Sequence, residues 1–340
     1  MTAGNGSRVR ALRMTLQYHE TFGHWFVPRL RAYVPHERGY YAVVTNSRGM
    51  RSAREYPSGV RGARRILAFG DSFTAADGVS NEERFTDLLE ASEEGLEVLN
   101  FGLPGSGTDQ QLLIYQHLGR HFDGDILLIC PLVENINRIA ARYRPVIERD
   151  GGTTLFMPKP YFTLQNGSLE LHGVPVPRKR FTLADAPPDV LEHTDLGGRS
   201  PGVSRFVNRY LYPWKDSLIK LTGFDPYPQY SEQYHPHWRL MKAILGAFVE
   251  WEQGREVVIA PLPTYHYIEG LCRPTYMQRF QEFTKEYPRV HLINVLEEFW
   301  CLSRVERRAC RYHRDIHYTP LAHSVVARAL RKELRSRKLL

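Results

Sequence analysis

Two polar groups in the sequence have the residue types that a nucleophilic serine requires. Gly70-Asp71-Ser72 directly follows an apolar run, and Asp315 and His317 precede a segment with helical spacing. A serine hydroxyl is a weak nucleophile and needs a neighbouring base. Histidine can take that proton near neutral pH, and a carboxylate can hold its ring. The residues therefore suggest acyl transfer at Ser72, although Gly-Asp-Ser alone is more typical of a turn.

Two further segments offer donors for the negative charge that develops during acyl transfer. The stretch "NFGLPGSGTDQ" (100–110) places three glycines before a predicted helix, Gly102, Gly105 and Gly107. A glycine lets its backbone N–H approach a ligand closely. The stretch "CPLVENINR" (130–138) brings Asn135 and Asn137, whose amides could add a second donor. Turn and helix-cap roles are the alternatives for both segments.

The elements that must position these residues are five short apolar runs. They are "RILAF" (65–69), "EVLNF" (97–101), "DILLIC" (125–130), "EVVIAP" (256–261) and "VHLINV" (290–295). Segments with helical spacing follow most of them, which predicts a parallel sheet with helices on both faces. Ligands of such sheets bind at the carboxyl ends of the strands. The candidate residues follow these ends, so we expect them to share one edge of the sheet.

Two segments interrupt the alternation of strand and helix. Residues 1–58 form a predicted N-terminal extension, small and β-rich, in which "GYYAVVTNSRGMRS" (39–52) suggests a hairpin or small sheet with its turn at 46–49. The main domain then covers 59–340. Within it, 143–235 is long enough to be an inserted lid or substrate-shaping subdomain, with a hairpin turn predicted at 165–168.

Composition describes an ordinary globular chain and excludes several function classes. It is 42% hydrophobic and 24% charged, which argues against disorder, and its net charge of +8 suits an anionic substrate. The four cysteines lack metal-ligand spacing, and their low number fits a reducing compartment. We see no signal-peptide segment and no apolar stretch of membrane-spanning length. We therefore expect a cytoplasmic protein without membrane insertion or a nucleic-acid partner, and the oligomeric state stays open.

The order Ser, Gly, Asn and Asp/His along the chain resembles the SGNH (GDSL-type) hydrolases. "AFGDSF" (68–73) matches the first sequence block of that family, and "NFGLPGSGT" (100–108) matches the second in its N-x-G-x-x-G form. "DIHYTPLAH" (315–323) resembles the last block. "TNSRGMRS" (45–52) resembles the N-S-x-G-x-R lead-in of bacterial members with an N-terminal extension. The resemblance covers roughly residues 40–142 and 250–335.

This resemblance implies a three-layer αβα, flavodoxin-like fold around a five-stranded parallel sheet. It implies Ser72 as nucleophile, His317 as base and Asp315 as its partner. The implied oxyanion hole consists of the N–H groups of Ser72 and Gly105 and the amide of Asn135. The third block reads Val-Glu-Asn-Ile at 133–136 in place of G-x-N-D, so Asn137 is the alternative. The last block is D-x-H where D-x-x-H is commoner.

The function expected from these features is that of a serine esterase or deacylase. It would act on an O-acyl ester, acetyl above all, of a carbohydrate or small natural product through an acyl-Ser72 intermediate. The alternatives are an O-acyltransferase to a sugar or metabolite hydroxyl and an inactive glycan-binding module. Expected substrate contacts are Asp71, His266 and Asn137, and Asp71 is also expected to brace the turn that carries Ser72. Tyrosines of the insertion are candidates for stacking on a sugar, among them Tyr210, Tyr212, Tyr227 and Tyr230. The chemistry requires no metal or organic cofactor.

Overall fold

The computed structural model describes residues 15–59, 62–147, 154–194, 224–252 and 254–340. Its strands are β1 (Leu16–His19), β2 (Gly23–Phe26), β3 (Arg31–His36), β4 (Gly39–Val44), β5 (Arg64–Gly70), β6 (Leu96–Asn100), β7 (Ile126–Cys130), β8 (Tyr143–Ile147), β9 (Thr154–Pro158), β10 (Tyr161–Gln165), β11 (Ser168–His172), β12 (Glu256–Ile259) and β13 (Val290–Leu292). Its helices are α1 (Ser72–Ala75), α2 (Phe85–Ala91), α3 (Thr108–His117), α4 (Asn135–Arg138), α5 (Pro236–Trp251), α6 (Tyr265–Ile268), α7 (Thr275–Glu286), α8 (Val295–Trp300), α9 (Arg304–Ala309) and α10 (Pro320–Ser336).

The five apolar runs form one parallel sheet in the order β13-β12-β7-β5-β6. Numbered by their order in the chain, these five strands lie in the order 5-4-3-1-2, which is the flavodoxin-like arrangement read from the other edge. All of β7 is buried, and so is β5 after its first residue. Such continuous burial is typical of a parallel sheet covered on both faces. The predicted fold class is therefore confirmed.

Helices cover the sheet in two groups. α10 packs against α2 and α8, and α3 packs against α5. From β5, Phe69 meets Tyr115 of α3 and Phe248 of α5, with ring centroids 5.6 and 6.1 Å apart. α5 follows the insertion and leads into β12. The fifth apolar run remains a strand only through Leu292, because Val295 already begins α8.

The N-terminal segment contains two antiparallel hairpins, β1–β2 and β3–β4. The predicted hairpin turn at 46–49 is wrong, because β4 pairs with the preceding β3 and the described residues 50–59 after the turn contain no strand. The Asn46 side-chain oxygen accepts the N–H groups of Arg48 and Met50, both at 3.0 Å, which curls the backbone away from a ladder. Phe22 and Trp25 pack into the same core as the sheet. The domain boundary at residue 58 stays a prediction.

The described part of the insertion contains the hairpins β8–β9 and β10–β11. Asn166 and Gly167 are the two central residues of the turn between β10 and β11, and their φ angles are +49° and +85°. A two-residue hairpin turn of type I′ requires positive φ at both of these positions. The turn predicted at 165–168 is thus confirmed. Residues 195–223 lie outside the described ranges. None of the helices in the described ranges is both long and apolar enough to span a bilayer.

Candidate active site

Ser72 lies on a sharp turn at the carboxyl end of β5. Asp71 caps α1, since its Oδ1 accepts the N–H of Phe73 at 2.9 Å. A Cβ on Gly70 would overlap the Thr74 hydroxyl, so only glycine fits where the strand gives way to the helix. Ser72 is 5% exposed. The local sequence therefore fixes the serine at the edge of the sheet where ligands bind in folds of this class.

Ser72, His317 and Asp315 form a continuous chain of hydrogen bonds. His317 Nε2 is 2.8 Å from Ser72 Oγ, and its Nδ1 is 2.6 Å from Asp315 Oδ1. Asp315 Oδ1 also accepts the backbone N–H of His317 at 3.1 Å. An ionised carboxylate only accepts hydrogen bonds, so the proton of neutral His317 lies on Nδ1. Its Nε2 lone pair then faces the serine hydroxyl, as proton abstraction requires.

Asp71, the neighbour of Ser72, belongs to a partly buried ionic network. Its Oδ2 is 2.7 Å from Arg138 Nη1, and Arg138 Nη2 is 2.7 Å from Glu134. Burial raises the pKa of Asp71 to about 6, and the Arg138 guanidinium opposes that rise. Asp71 is fully buried with both oxygens engaged, which suits bracing of the turn better than the substrate contact expected from the sequence. Arg138 also offsets the negative charge of Glu134.

The glycine-rich turn after β6 lies against the same strand end. Leu103 donates its N–H to Gly70 O at 3.0 Å, and Gly105 has a φ of +71°. The Arg144 guanidinium occupies the space where a Cβ on Gly105 would lie. Its Nη1 is 2.7 Å from His24 Nε2. Burial lowers the pKa of Arg144 to about 10 and that of His24 to about 3, so the ring is neutral beside a charged guanidinium.

Asn135 and Asn137 differ in what their side chains meet. Asn135 is fully buried, and among the described residues neither its Nδ2 nor its Oδ1 has a hydrogen-bond partner. Asn137 instead accepts from Gln229 Nε2 at 2.8 Å. Both lie on α4, which Arg138 ties to Asp71 next to the serine. A buried amide without a partner is costly unless a ligand completes it, so of the two predicted oxyanion donors Asn135 is the better candidate.

Arg51 supports the turn that carries Ser72, a role that was not predicted from the sequence. Its guanidinium is buried and donates to the carbonyl oxygens of Ala42, Ala75, Ala76 and Val79. Two of these carbonyls end the turn that carries Ser72. The N-S-x-G-x-R match contained the signal, because Arg51 is the arginine of that motif.

Asn100 braces the serine turn from the second strand. Its Nδ2 donates to Thr74 O at 2.7 Å, and its Oδ1 accepts the N–H of Gly102 at 2.8 Å. A Cβ on Gly102 would overlap the backbone of Ala75. The first and second glycine-containing motifs are therefore packed directly on each other.

The remaining substrate candidates lie in different settings. His266 is half-buried on α6, with Nδ1 3.2 Å from Thr264 Oγ1, and its role stays a prediction. Tyr227 and Tyr230 are buried, and Tyr230 donates to Val133 O at 3.0 Å, so they pack in the core rather than stack on a sugar. Tyr210 and Tyr212 lie outside the described residues.

Comparisons with known proteins found similarity among solved structures. No protein-family model and no curated protein matches the chain. A member of the lipolytic protein G-D-S-L family from Veillonella parvula is 11% identical, with a TM-score of 0.40 over 79% of this chain and 97% of that one. A lipase/acylhydrolase from Enterococcus faecalis is 12% identical, with a TM-score of 0.41 over 81% and 96%. A catalytic mutant of an acetylxylan esterase from Geobacillus stearothermophilus is 10% identical, with a TM-score of 0.43 over 81% and 95%. The neighbours thus include the family that the sequence resembles, and at these identities they transfer neither activity nor substrate to this chain.

Proposed function

We propose that this protein is a serine esterase or deacylase of the SGNH type that cleaves an O-acyl ester through an acyl-Ser72 intermediate. The observation that carries the proposal is the hydrogen-bonded chain of three side chains. Ser72 Oγ is 2.8 Å from His317 Nε2, and His317 Nδ1 is 2.6 Å from Asp315 Oδ1. These distances lie within the range that a nucleophile and its base require.

The reaction follows from the positions of the protons. Ser72 Oγ attacks the ester carbonyl while His317 Nε2 takes the hydroxyl proton, and Asp315 stabilises the imidazolium that forms. The N–H groups of Ser72 and Gly105 and the amide of Asn135 are the proposed donors to the oxyanion. His317 then returns the proton to the leaving alcohol oxygen. A water molecule, activated by the same histidine, releases the acid and restores the serine.

The surroundings of Ser72 favour a short acyl group on an anionic carrier. Ser72 is 5% exposed, so we propose acetyl rather than a long chain, on a carbohydrate or a small natural product. Arg144 lies against Gly105 and, among the described residues, forms no ion pair with a carboxylate. A substrate carboxylate would supply the bidentate partner that a guanidinium prefers.

Serine labelling together with ester turnover tests the proposal. The folded protein is treated with a fluorophosphonate and mapped by mass spectrometry, and hydrolysis of p-nitrophenyl acetate, butyrate and octanoate is compared. We expect label on Ser72, fastest turnover with acetate, and loss of several orders of magnitude in Ser72→Ala. The exposed Ser336→Ala is the matched control. Turnover that survives in Ser72→Ala refutes the mechanism, and glycan binding without turnover identifies the binding module instead.

Substrate charge is tested with two acetyl esters, an O-acetylated uronic acid and the O-acetylated neutral sugar that corresponds to it. Arg144→Gln should lower kcat/KM for the acidic ester roughly tenfold relative to the neutral one, since one such contact is worth about 1.4 kcal/mol. Arg142→Gln is the control, because Arg142 is a neighbouring arginine that pairs with Asp189 at 3.4 Å. An unchanged selectivity in Arg144→Gln would remove the anionic carrier from the proposal.

The acyl acceptor is identified by measuring how the acyl-enzyme partitions between water and added hydroxyl compounds. Sugar or metabolite hydroxyls are added to the hydrolysis assay, and the products are separated by mass. Release of acetate at an unchanged rate in their presence supports the esterase. Acetylated acceptor formed at the expense of acetate supports the acyltransferase.

A further inference from the structure

The N-terminal segment reaches the proposed catalytic carboxylate through His36. This residue ends β3, and its Nε2 is 3.1 Å from Asp315 Oδ2, the oxygen that does not face the His317 ring. Asp315 Oδ1 faces His317 Nδ1 at 2.6 Å. An ionised carboxylate can only accept, so His36 Nε2 must carry a hydrogen and donate it. Asp315 thus lies between two imidazole rings, one on each oxygen.

Burial and ring packing fix His36 in this orientation. The side chains of His36 and Asp315 are 3% and 5% exposed. The imidazole centroid lies 4.3 Å from Tyr312 and 5.8 Å from Tyr41, both with nearly perpendicular planes. His36 Nδ1 is buried without a hydrogen-bond partner among the described residues. A single ring proton is therefore better placed on Nε2, where the carboxylate accepts it, than on Nδ1.

Glu37, the residue after His36, binds the backbone of the loop that carries Asp315. The Glu37 carboxylate accepts the N–H of Arg314 at 3.2 Å and that of Asp315 at 3.1 Å. The turn between β3 and β4 therefore fixes both the main chain and the side chain of Asp315. In the sequence, this turn lies in the segment predicted as an extension before the hydrolase domain.

We propose that His36 is a positioning residue for the acyl-transfer reaction, with its Nε2–H locking the Asp315 carboxylate so that Oδ1 holds His317. The proposal rests on the proposed function. A carboxylate held through one oxygen can rotate about its last side-chain bond, whereas donors on both oxygens allow one orientation. The N-terminal segment then supplies a fourth member to the chain Ser72–His317–Asp315.

Three substitutions separate this hydrogen bond from simple packing. Gln at position 36 keeps an N–H donor near the place of Nε2, Phe keeps a ring against the two tyrosines, and Asn keeps the amide but is too short. We expect His36→Phe and His36→Asn to lower kcat on the order of tenfold or more with KM within about twofold, by analogy with other orienting partners. His36→Gln should retain most of the activity.

The order of the variants decides the outcome. A packing role predicts that Phe is better than Gln, whereas positioning predicts that Gln is better than Phe and Asn. Wild-type kcat in a folded Phe or Asn variant, or Phe above Gln, overturns the proposal. If Phe prevents folding, the comparison of Gln with Asn, two amides that differ by one methylene, still decides it. Turnover in Ser72→Ala would instead refute the proposed function, so the two failures are distinguishable.

Discussion

The protein should lose stability in mild acid, because the unfolded chain takes up a proton at His323 that the folded protein, which buries this ring, does not. His323 lies on α10 and is fully buried, and its Nδ1 accepts the N–H of Phe85 at 3.3 Å. Its Nε2 has no hydrogen-bond partner among the described residues. Burial, and then the positive charges of Arg51 and Arg84 and the nearby His317, lower its pKa from 6.5 to about 3. The folded state thus holds this imidazole neutral.

The direction and size of the effect follow from the two pKa values. The folded-state pKa is depressed, so the stabilisation is complete above the unfolded-state value and is lost as pH falls. Below pH 6.5 the unfolded chain binds a proton at this residue, and the folded chain does not until about pH 3. Each pH unit in this window removes about 1.4 kcal/mol from the free energy of unfolding. Between pH 7 and pH 5 the contribution of His323 is therefore about 2 kcal/mol.

Urea unfolding of the wild type and of His323→Asn at both pH values measures this contribution. The Asn oxygen lies where Nδ1 does and can accept from Phe85, but it does not titrate. We expect the wild type to lose about 2 kcal/mol more than the variant from pH 7 to pH 5. Other titrating groups, including His24, cancel in the difference. His121→Asn at an exposed position is the control. Equal losses in wild type and His323→Asn would refute the reasoning.

Four other substitutions test the site and the core. Asn135→Ala should lower kcat roughly a hundred- to a thousandfold, while Asn137→Ala changes it little, and equal losses in steady-state assays would contradict the assignment. Asp315→Asn should lower kcat on the order of ten-thousandfold without change in the circular dichroism spectrum, because the amide favours the wrong tautomer of His317. Phe69→Ala, which leaves a cavity where Phe69 stacks on Phe101 at 4.8 Å, should lower the free energy of unfolding by about 3–5 kcal/mol in urea, and a loss below about 1 kcal/mol would contradict this packing.

The sheet could be predicted because a parallel strand that is buried on both faces has an unbroken run of apolar residues. β7 is an example, since all five of its residues are buried. The positions of Ser72, Gly105 and Asn135 near strand ends followed from the same pattern, because parallel strands end at one edge. The hairpin at 165–168 was readable because Asn-Gly permits positive φ at both central positions.

Contacts between distant segments could not be predicted in this way. His36 meets Asp315, and Arg144 covers Gly105, yet neither pair shares a local pattern of spacing or hydropathy. The hairpin turn predicted at 46–49 was wrong for a physical reason. Its Asn and Gly serve to place Arg51 inside the protein and do not join two strands, and the residue types of the two kinds of turn are the same.

Three guanidinium groups contact the serine turn or the glycine-rich turn beside it, and only one of them faces a carboxylate. Arg138 faces the Asp71 carboxylate. The partners of the other two are uncharged: Arg51 donates to backbone carbonyls, and Arg144 contacts the neutral His24 ring. Burial lowers the pKa of both Arg51 and Arg144 to about 10, so holding their charges there works against folding. In the proposed reaction, positive charge fixed beside the two turns would stabilise negative charge on the substrate without any reorganisation. An arrangement that is unfavourable for the resting protein is what we expect at a functional site, because such sites keep charges that the rest of the fold would avoid.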